Sequence, residues 1–352
     1  MRKEETTARG GPAAGGKPGP APGRGIAILA CLALVATACA PLRDFLLPSP
    51  RVPSKWAALV DEVRAFEHRI GFDATNNFVG FSDERDGFPF CAHSSRFILP
   101  YSYEDPAIEW RESVSDRECG TRADSADTYF TTVEVVGEAG TPVTAEMISS
   151  KLDRFLYLVI HEDCHDQFEL PYGIEEALCN LIAYKAMAVF TDEKFGSYAR
   201  EDRAIRRYAD AESKRTRATV AYYDELARLY ARHERNEITG EALLKQRAAI
   251  FARAERDLEW RRGPLNNIGL ATDMTYSRHY PFLESVFDAL GRDLPRAVAF
   301  FKHADRIKPS PAAIMKRDRI ADKRSAAFLR AYEAVVVETI RTALADTPRQ
   351  KN

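Results

Sequence analysis

The stretch FLYLVIHEDCHDQFELPYGIEEALCN, residues 155–180, decides the fold of the central part of the chain. Six largely apolar residues stand directly before His161, which indicates that a buried helix carries the polar residues behind them. Proline and glycine interrupt helices, so the tripeptide at 171–173 separates this helix from a second one. The sequence therefore predicts two adjacent helices, the second beginning near Ile174 and ending at about Phe190.

Two histidines and a glutamate at the end of the first helix have the spacing of a zinc site. His161 and His165 are four residues apart, so they lie on one helix face and can bind one zinc ion together. Glu162 lies about 100° further round the helix, where it can accept a proton from a zinc-bound water. The alternative is an exposed polar face, but the apolar run before the motif indicates burial, which is costly for unpartnered His and Glu. We therefore predict a Zn²⁺ cofactor and Glu162 as catalytic base.

The third zinc ligand is expected from the second helix. A catalytic zinc is usually held by three protein ligands and keeps one position open for water or substrate. Glu175 and Glu176 both qualify by their position at the start of that helix. Asn180 follows Glu176 by four residues and can therefore orient a histidine or the ligand from the same face.

The N-terminal segment is predicted to direct export rather than to join the fold. Residues 1–25 are rich in Gly, Pro and Ala, and the apolar run after them is too short to span a bilayer but typical of a signal peptide. The small residues before Cys39 resemble the lipobox of bacterial lipoproteins. This resemblance implies a signal peptide over 1–39, lipid on Cys39, and attachment to the cell envelope at the outer membrane, facing the periplasm. A plain secretory signal or an uncleaved anchor are the alternatives.

Four cysteines remain after the predicted signal peptide, an even number in an oxidising compartment. Cys91 and Cys119 share a loop- and strand-rich region, so we expect them to pair. Cys164 and Cys179 flank the predicted metal residues of the two helices. A disulfide between those helices is favoured, while a closed structural zinc site with thiolate ligands and two free thiols are the alternatives.

The remaining pattern predicts an α+β fold, in which a small N-terminal strand-rich region precedes a mainly helical body. A Pro-rich spacer occupies 40–53, and a helix starting at Ser54 opens an α+β subdomain over 54–143. Aromatic and β-branched residues predict strands in this subdomain at 77–82, 88–94, 96–103 and 129–136. Helical patterns follow in a body over 144–305 and a C-terminal helix over 306–352.

The overall charge gives no sign of a nucleic-acid partner. The chain has 352 residues, with 50 basic and 52 acidic side chains, and a formal net charge of −2. Nucleic-acid-binding domains usually carry a clear excess of Lys and Arg. The chain is long enough to bury a large core or two modest ones.

Several segments together resemble the bacterial predicted-aminopeptidase lipoprotein family, which consists of HExxH glutamate-zincin metallopeptidases. The lipoprotein signal, the HExxH motif and the downstream glutamate are shared with that family. ELARLYARHERNEITGEALLKQRAAIF, residues 225–251, and LNNIGLATDMTYSRHYPF, residues 265–282, are similar to two further family segments. The similarity covers roughly residues 150–305 and implies a zincin-like helical body.

The resemblance also implies roles for individual residues. The glutamate-zincin pattern matches Glu176 as third ligand beside the two histidines, with Glu175 flanking the site or binding a substrate amine. Tyr276 is implied as the hydrogen-bond donor to the oxyanion, with His279 close behind it. The expected activity is zinc-dependent hydrolysis of peptide bonds, in which a zinc-bound water attacks and Glu162 is the base.

Two other functions are kept as alternatives. One is a non-catalytic zinc-binding lipoprotein with a binding or assembly role in the envelope, and the other is a metal-free helical lipoprotein. Exo- and endopeptidase action are both open, because the chain has no Gly-Ala-Met-Glu-Asn motif for gripping a free N-terminus. Asn266 and Asn267 can bind substrate backbone or cap a helix. His93 and His303 are interpreted as structural residues.

Overall fold

The computed structural model describes residues 51–83, 88–112, 115–133 and 140–347. The predicted signal peptide, Cys39 and most of the predicted spacer lie outside these residues. Within the described ranges, no helix combines the length and the apolar character that crossing a membrane requires.

The N-terminal part contains one long helix and two small sheets. Helix α1 spans Ser54–Ile70 and buries an apolar face that includes Val60, Val63 and Phe66. Strand β1 (Phe81–Ser82) pairs in parallel with β5 (Val143–Thr144). The second sheet is antiparallel with the order β3-β2-β4, formed by β2 (Phe88–Ser94), β3 (Glu109–Glu112) and β4 (Asp127–Val133). A short helix α2 (Asp116–Cys119) and a 3₁₀ turn (Gly120–Arg122) precede β4.

One predicted strand, at 96–103, is wrong, and two observed strands, β3 and β5, were not predicted. In the 96–103 segment, the backbone carbonyl of Ile98 accepts a hydrogen bond from the Asn267 side chain, at 2.7 Å, instead of a strand partner. The unpredicted strand β3 pairs with β2 although its sequence, EWRE, lacks an apolar alternation. Long-range contacts rather than local propensity therefore determine the backbone conformation of both segments.

The rest of the chain is helical, which confirms the predicted α+β class with a strand-rich start and a mainly helical body. The helices are α3 Ala145–Ser149, α4 Leu152–His165, α5 Tyr172–Phe195, α6 Arg200–Glu234, α7 Gly240–Asp257, α8 Asn267–Ser277, α9 Tyr280–Ala289, α10 Leu294–Ile307, α11 Pro311–Asp318 and α12 Ala326–Asp346. The C-terminal part holds two helices where one was predicted, because Arg319 takes a left-handed conformation and ends α11. The predicted division at residues 143 and 305 stays a prediction.

Helices α4 and α5 form the centre of the larger core. Phe155, Leu156, Val159 and Ile160 of α4 are fully buried. Most residues of α5 are apolar and buried on several faces, which is typical of a helix enclosed by others. A disulfide between Cys164 and Cys179 joins the two helices. The polar residues at the end of α4 and the start of α5 are therefore held by a rigid, buried pair of helices.

A second disulfide, Cys91–Cys119, connects β2 with α2. Both sulfur-bearing residues are fully buried. The ring of His93 packs beside them, and its Nε2 lies 3.0 Å from the carbonyl oxygen of Cys119. His93 therefore belongs to the packing around this disulfide, far along the chain from the α4–α5 residues.

Candidate metal centre

The last turn of α4 and the first turns of α5 face each other across the break at Pro171. Helix α4 presents His161 and His165 on one face, as their spacing predicts. The backbone carbonyl of Pro171 accepts hydrogen bonds from Ile174 and Glu175, which starts α5 immediately after the break. This geometry brings the first carboxylates of α5 to the histidines of α4.

His161, His165 and Glu176 form a group that could hold a metal ion, with one donor atom from each within 4.8 Å of the others. Glu176 Oε2 lies 3.1 Å from His161 Nε2 and 3.4 Å from His165 Nε2. The two Nε2 atoms are 3.2 Å apart. His161 and Glu176 are buried, so three donor atoms converge at a point that is largely withdrawn from solvent.

The charges of this triad are strongly coupled. Burial alone would raise the pKa of Glu176, but hydrogen bonds from His161 and His165 hold it well below its ordinary value. Burial would lower the pKa of His165, but Glu175 and Glu176 raise it to about 11. These shifts favour an anionic Glu176 against a cationic His165, so binding of a metal ion displaces a proton.

Glu175 contacts the opposite side of the His165 ring. Its Oε1 lies 2.9 Å from Nδ1 of His165, while Nε2 of the same ring faces the triad. A carboxylate on the far nitrogen of a metal-binding histidine fixes the ring orientation and raises its basicity. The structure thus assigns the two neighbouring glutamates different positions, with Glu176 in the triad and Glu175 behind His165.

Glu162 stands beside the triad without being part of it. Burial raises the pKa of its carboxyl above the ordinary value, against the opposing effect of His161 and His165. On the other side of α4, the side chain of Asn77 donates a hydrogen bond to the backbone carbonyl of Glu162 at 3.2 Å. Glu162 is therefore held at the edge of the site with a carboxyl whose proton affinity is increased, as a general base requires.

Asn180 reaches the triad only through a tyrosine. Its Oδ1 accepts a hydrogen bond from the Tyr157 hydroxyl at 2.6 Å, and its Nδ2 lies 3.4 Å from the carbonyl oxygen of Tyr276. The Tyr157 ring stacks on the His161 ring with centroids 5.1 Å apart. Asn180 therefore contacts the Tyr157 ring that packs against His161, so an orienting effect on this histidine would pass through Tyr157. Tyr157 precedes His161 by four residues, so helical spacing could have identified it.

Tyr276 of α8 lies beside the histidines, with its ring centroid 6.5 Å from that of His161. The charge of Glu176, together with burial, raises the pKa of Tyr276 well above its ordinary value. The phenol therefore stays protonated and able to donate a hydrogen bond. Tyr172 was not predicted from the sequence and precedes Glu176 by one helical turn. Its ring is partly exposed, but desolvation of its hydroxyl and the Glu176 charge raise its pKa as well.

His279 is not brought to the triad. Its Nε2 lies 2.8 Å from Oε2 of Glu333, on α12. The expected role of His279 behind Tyr276 is therefore not supported by its contacts, because its polar partner belongs to the C-terminal helix. Position within a sequence motif does not reveal which distant helix a side chain will meet.

The paired asparagines at the start of α8 have structural roles. Asn266 is the N-cap of α8, and its Oδ1 accepts hydrogen bonds from the backbone of Ile268 and Gly269. Asn267 is fully buried, and its side chain donates to Ile98 O at 2.7 Å. These contacts support helix capping by Asn266 and a buried structural contact by Asn267, rather than binding of substrate backbone.

A cleft of about 490 Å³ opens beside His161 and Glu162. Its wall near the triad contains Tyr276, and β4 contributes Thr131 and Thr132 on another side. Further lining residues are charged: Glu146, Arg154, Glu212, Arg215, Arg262 and Asp273. Asp273 lies between two of these arginines, 3.1 Å from Arg215 and 3.3 Å from Arg262. The cleft therefore gives an extended polar molecule access to the edge of the triad.

Comparison with known proteins identifies one family. The family model described as "Putative aminopeptidase" matches residues 101–318 of the chain. This span contains the triad, Glu162, Tyr276 and all of the residues that line the cleft. No curated protein and no solved structure matches the chain.

Proposed function

We propose that this chain, which belongs to the putative aminopeptidase family, is a zinc-dependent peptidase whose metal ion is held by His161, His165 and Glu176. Membership confirms the resemblance deduced from the sequence and implies a hydrolase that acts on peptides. We further propose that the metal is zinc, that residues around it have the catalytic roles given below, and that the protein is located in the cell envelope.

The spacing of the three donor atoms carries the proposal. In a tetrahedral zinc site with ligand bonds of about 2.0–2.1 Å, neighbouring ligand atoms are about 3.3 Å apart. The three observed separations are 3.1, 3.2 and 3.4 Å. Two imidazoles and one carboxylate are also a donor set of known catalytic zinc sites. The three donor atoms therefore have the spacing of three corners of such a tetrahedron.

A zinc ion bound there would polarise the scissile carbonyl and lower the pKa of a coordinated water. Glu162, beside His161 at the cleft, accepts the proton of the attacking water and returns it to the leaving amine. The protonated Tyr276 hydroxyl donates to the oxygen that becomes negative as the carbonyl is attacked. Glu175 and Asn180, the latter through Tyr157, hold the two histidine rings in place.

The cleft is the feature that favours catalysis over a purely structural zinc site. A structural zinc usually has four protein ligands and no open position. Here Cys164 and Cys179 are joined to each other in a disulfide, so they do not complete a closed site with the histidines. The general base Glu162 lines the same cleft as His161.

Metal removal and restoration tests the proposed activity. Protein stripped with a chelator is expected to lose hydrolysis of a peptide library and to regain it with zinc added back. Peptides with free and with acetylated N-termini distinguish the modes of cleavage, because an aminopeptidase cuts only the free ones. Hydrolysis that persists fully after the metal has been removed would refute the proposal.

We also propose that the protein is a lipid-anchored envelope protein facing the periplasm. The support is the apolar segment before Cys39 and the oxidised state of Cys91–Cys119 and Cys164–Cys179, since disulfides persist in oxidising compartments. Metabolic labelling with a palmitate analogue tests it: wild type takes up label and Cys39→Ser does not. Equal labelling of both would contradict the anchor.

A further inference from the structure

A buried glutamate of the C-terminal helix α12 connects three segments around the metal centre. Glu333 is 3% exposed. Its Oε2 accepts a hydrogen bond from the Tyr101 hydroxyl at 2.6 Å and lies 2.8 Å from His279 Nε2. Residue 333 lies beyond the segment matched by the family model, 101–318, so these contacts connect a part of the chain outside that segment to two residues inside it.

The other oxygen of Glu333 lies against the start of α5. A Cβ added to Gly173 would come within 2.6 Å of Glu333 Oε1 and 3.8 Å of the Thr275 carbonyl oxygen. Real Cβ atoms essentially never come this close to another atom, so a larger residue at this position would force the Glu333 carboxylate to move. The carboxylate thus lies at the N-terminus of α5, where the helix dipole favours a negative charge.

Gly173 stands between Tyr172 and the glutamates of the metal centre, within the first turn of α5. The position of that turn decides where the carboxylates of Glu175 and Glu176 meet His165. Nothing in the catalytic steps uses Glu333 itself, whose contacts are with Tyr101, His279 and the α5 terminus. If Glu333 influences the metal centre, it does so through the backbone of α5.

We propose that Glu333 is a positioning residue that fixes the first turn of α5, and with it the third metal ligand, against the histidines of α4. This inference rests on the proposed metal site and assigns to α12 a part in forming it. A change that neutralises Glu333 moves the ligand helix by a small distance. Mutation of groups that orient metal ligands typically lowers metal affinity by about 10-fold to 100-fold, and we expect the lower end for Glu333, which acts through the helix.

The test measures zinc affinity of the folded full-length chain by competition with a chromophoric chelator. Glu333→Gln keeps the shape of the side chain and removes its charge, and we expect zinc to bind it about 10-fold more weakly than wild type. Glu338→Gln is the matched control, since it makes the same change on an exposed position of α12 and should keep wild-type affinity. Circular dichroism before each titration verifies that both variants are folded.

A milder variant, Tyr101→Phe, removes one hydrogen bond to Glu333 and decides the question if Glu333→Gln does not fold. It should weaken zinc binding by less than the about 10-fold expected for Glu333→Gln, because the carboxylate itself stays in place. In the double variant the two losses should not add, because Tyr101 acts through Glu333. Wild-type affinity in a folded Glu333→Gln, or fully additive losses, would overturn the inference alone. If Glu333→Gln does not fold, wild-type affinity in Tyr101→Phe would overturn it. A wild type that binds no zinc would overturn the proposed metal site as well.

Discussion

Glu175 and His165 are joined by a contact of 2.9 Å between Oε1 and Nδ1, on the side of the imidazole ring that faces away from the triad. The adjacent residue, Glu176, lies 3.4 Å from Nε2 of the same ring. Two consecutive glutamates therefore contact opposite nitrogens of one histidine. This arrangement distinguishes a ligand from a group that orients a ligand, although both have the same side chain.

Replacing each of these glutamates by glutamine should separate the two roles. Glu176→Gln removes a ligand and is expected to lower zinc affinity by at least about 100-fold, whereas Glu175→Gln should lower it by about 10-fold. Chelator competition at constant pH measures both, and each variant is the matched control of the other. The opposite order of losses would show that Glu175 is the ligand.

Tyr276→Phe should slow catalysis without releasing the metal. The hydroxyl is assigned to the transition state, and removal of one such donor costs about 100-fold in kcat with little change in KM. Tyr280→Phe is a suitable control, because its hydroxyl is buried and lies 2.6 Å from Ser213 Oγ instead of the triad. Steady-state kinetics measures kcat and KM, and zinc analysis of each sample verifies that the metal is retained. An unchanged kcat in Tyr276→Phe would show that this tyrosine is not part of the mechanism.

The disulfide between α4 and α5 is expected to stabilise the fold. It closes a loop of 15 residues, for which the chain-entropy model gives about 3 kcal/mol. Cys164→Ser/Cys179→Ser should therefore unfold at lower urea concentration than wild type. Cys91→Ser/Cys119→Ser, which opens a loop of 28 residues, should lose slightly more, about 3.6 kcal/mol. Equal midpoints for wild type and the first variant would contradict the expectation.

Glu67 should make stability depend on pH. It is buried, and burial together with the charge of Asp163 raises the pKa of its carboxyl well above the value of 4.5. A carboxyl with a raised folded pKa contributes stability below its unfolded pKa and loses it as the pH rises through the folded value. Relative to Glu67→Gln, the free energy of unfolding of wild type should therefore fall as pH increases above 4.5. The loss is about 1.4 kcal/mol for each unit separating the two pKa values.

Urea denaturation at several pH values measures this difference. Glu62→Gln on the same helix serves as control, because it makes the same substitution at a solvent-facing position. Parallel curves for wild type and Glu67→Gln over the whole range would show that Glu67 does not titrate differently in the folded protein.

Local spacing was sufficient to predict the parts of the site that lie on one helix. His161 and His165 are placed by the period of α4, and the break at Pro171 is a direct property of proline. The choice between Glu175 and Glu176 needed a family resemblance, because both stand near the start of α5. The structure distinguishes them by the nitrogen of His165 that each carboxylate meets.

Contacts between distant segments could not be predicted in the same way. The approach of Glu333 to His279 spans 54 positions, and no local pattern indicates it. The 96–103 segment has strand-like residues, but the Ile98 carbonyl accepts a hydrogen bond from the Asn267 side chain and the segment remains a loop. Tertiary partners override local propensity in both places.

The most direct test of the central claim compares zinc content and peptide hydrolysis of wild type with those of Glu162→Gln. Glu162 lies outside the triad, so both proteins should bind one zinc ion per chain. Hydrolysis should fall by about 10²–10⁴-fold in the variant, because the general base has been removed. Wild-type protein without zinc, or a zinc-loaded Glu162→Gln that cleaves peptides at the wild-type rate, would contradict the account.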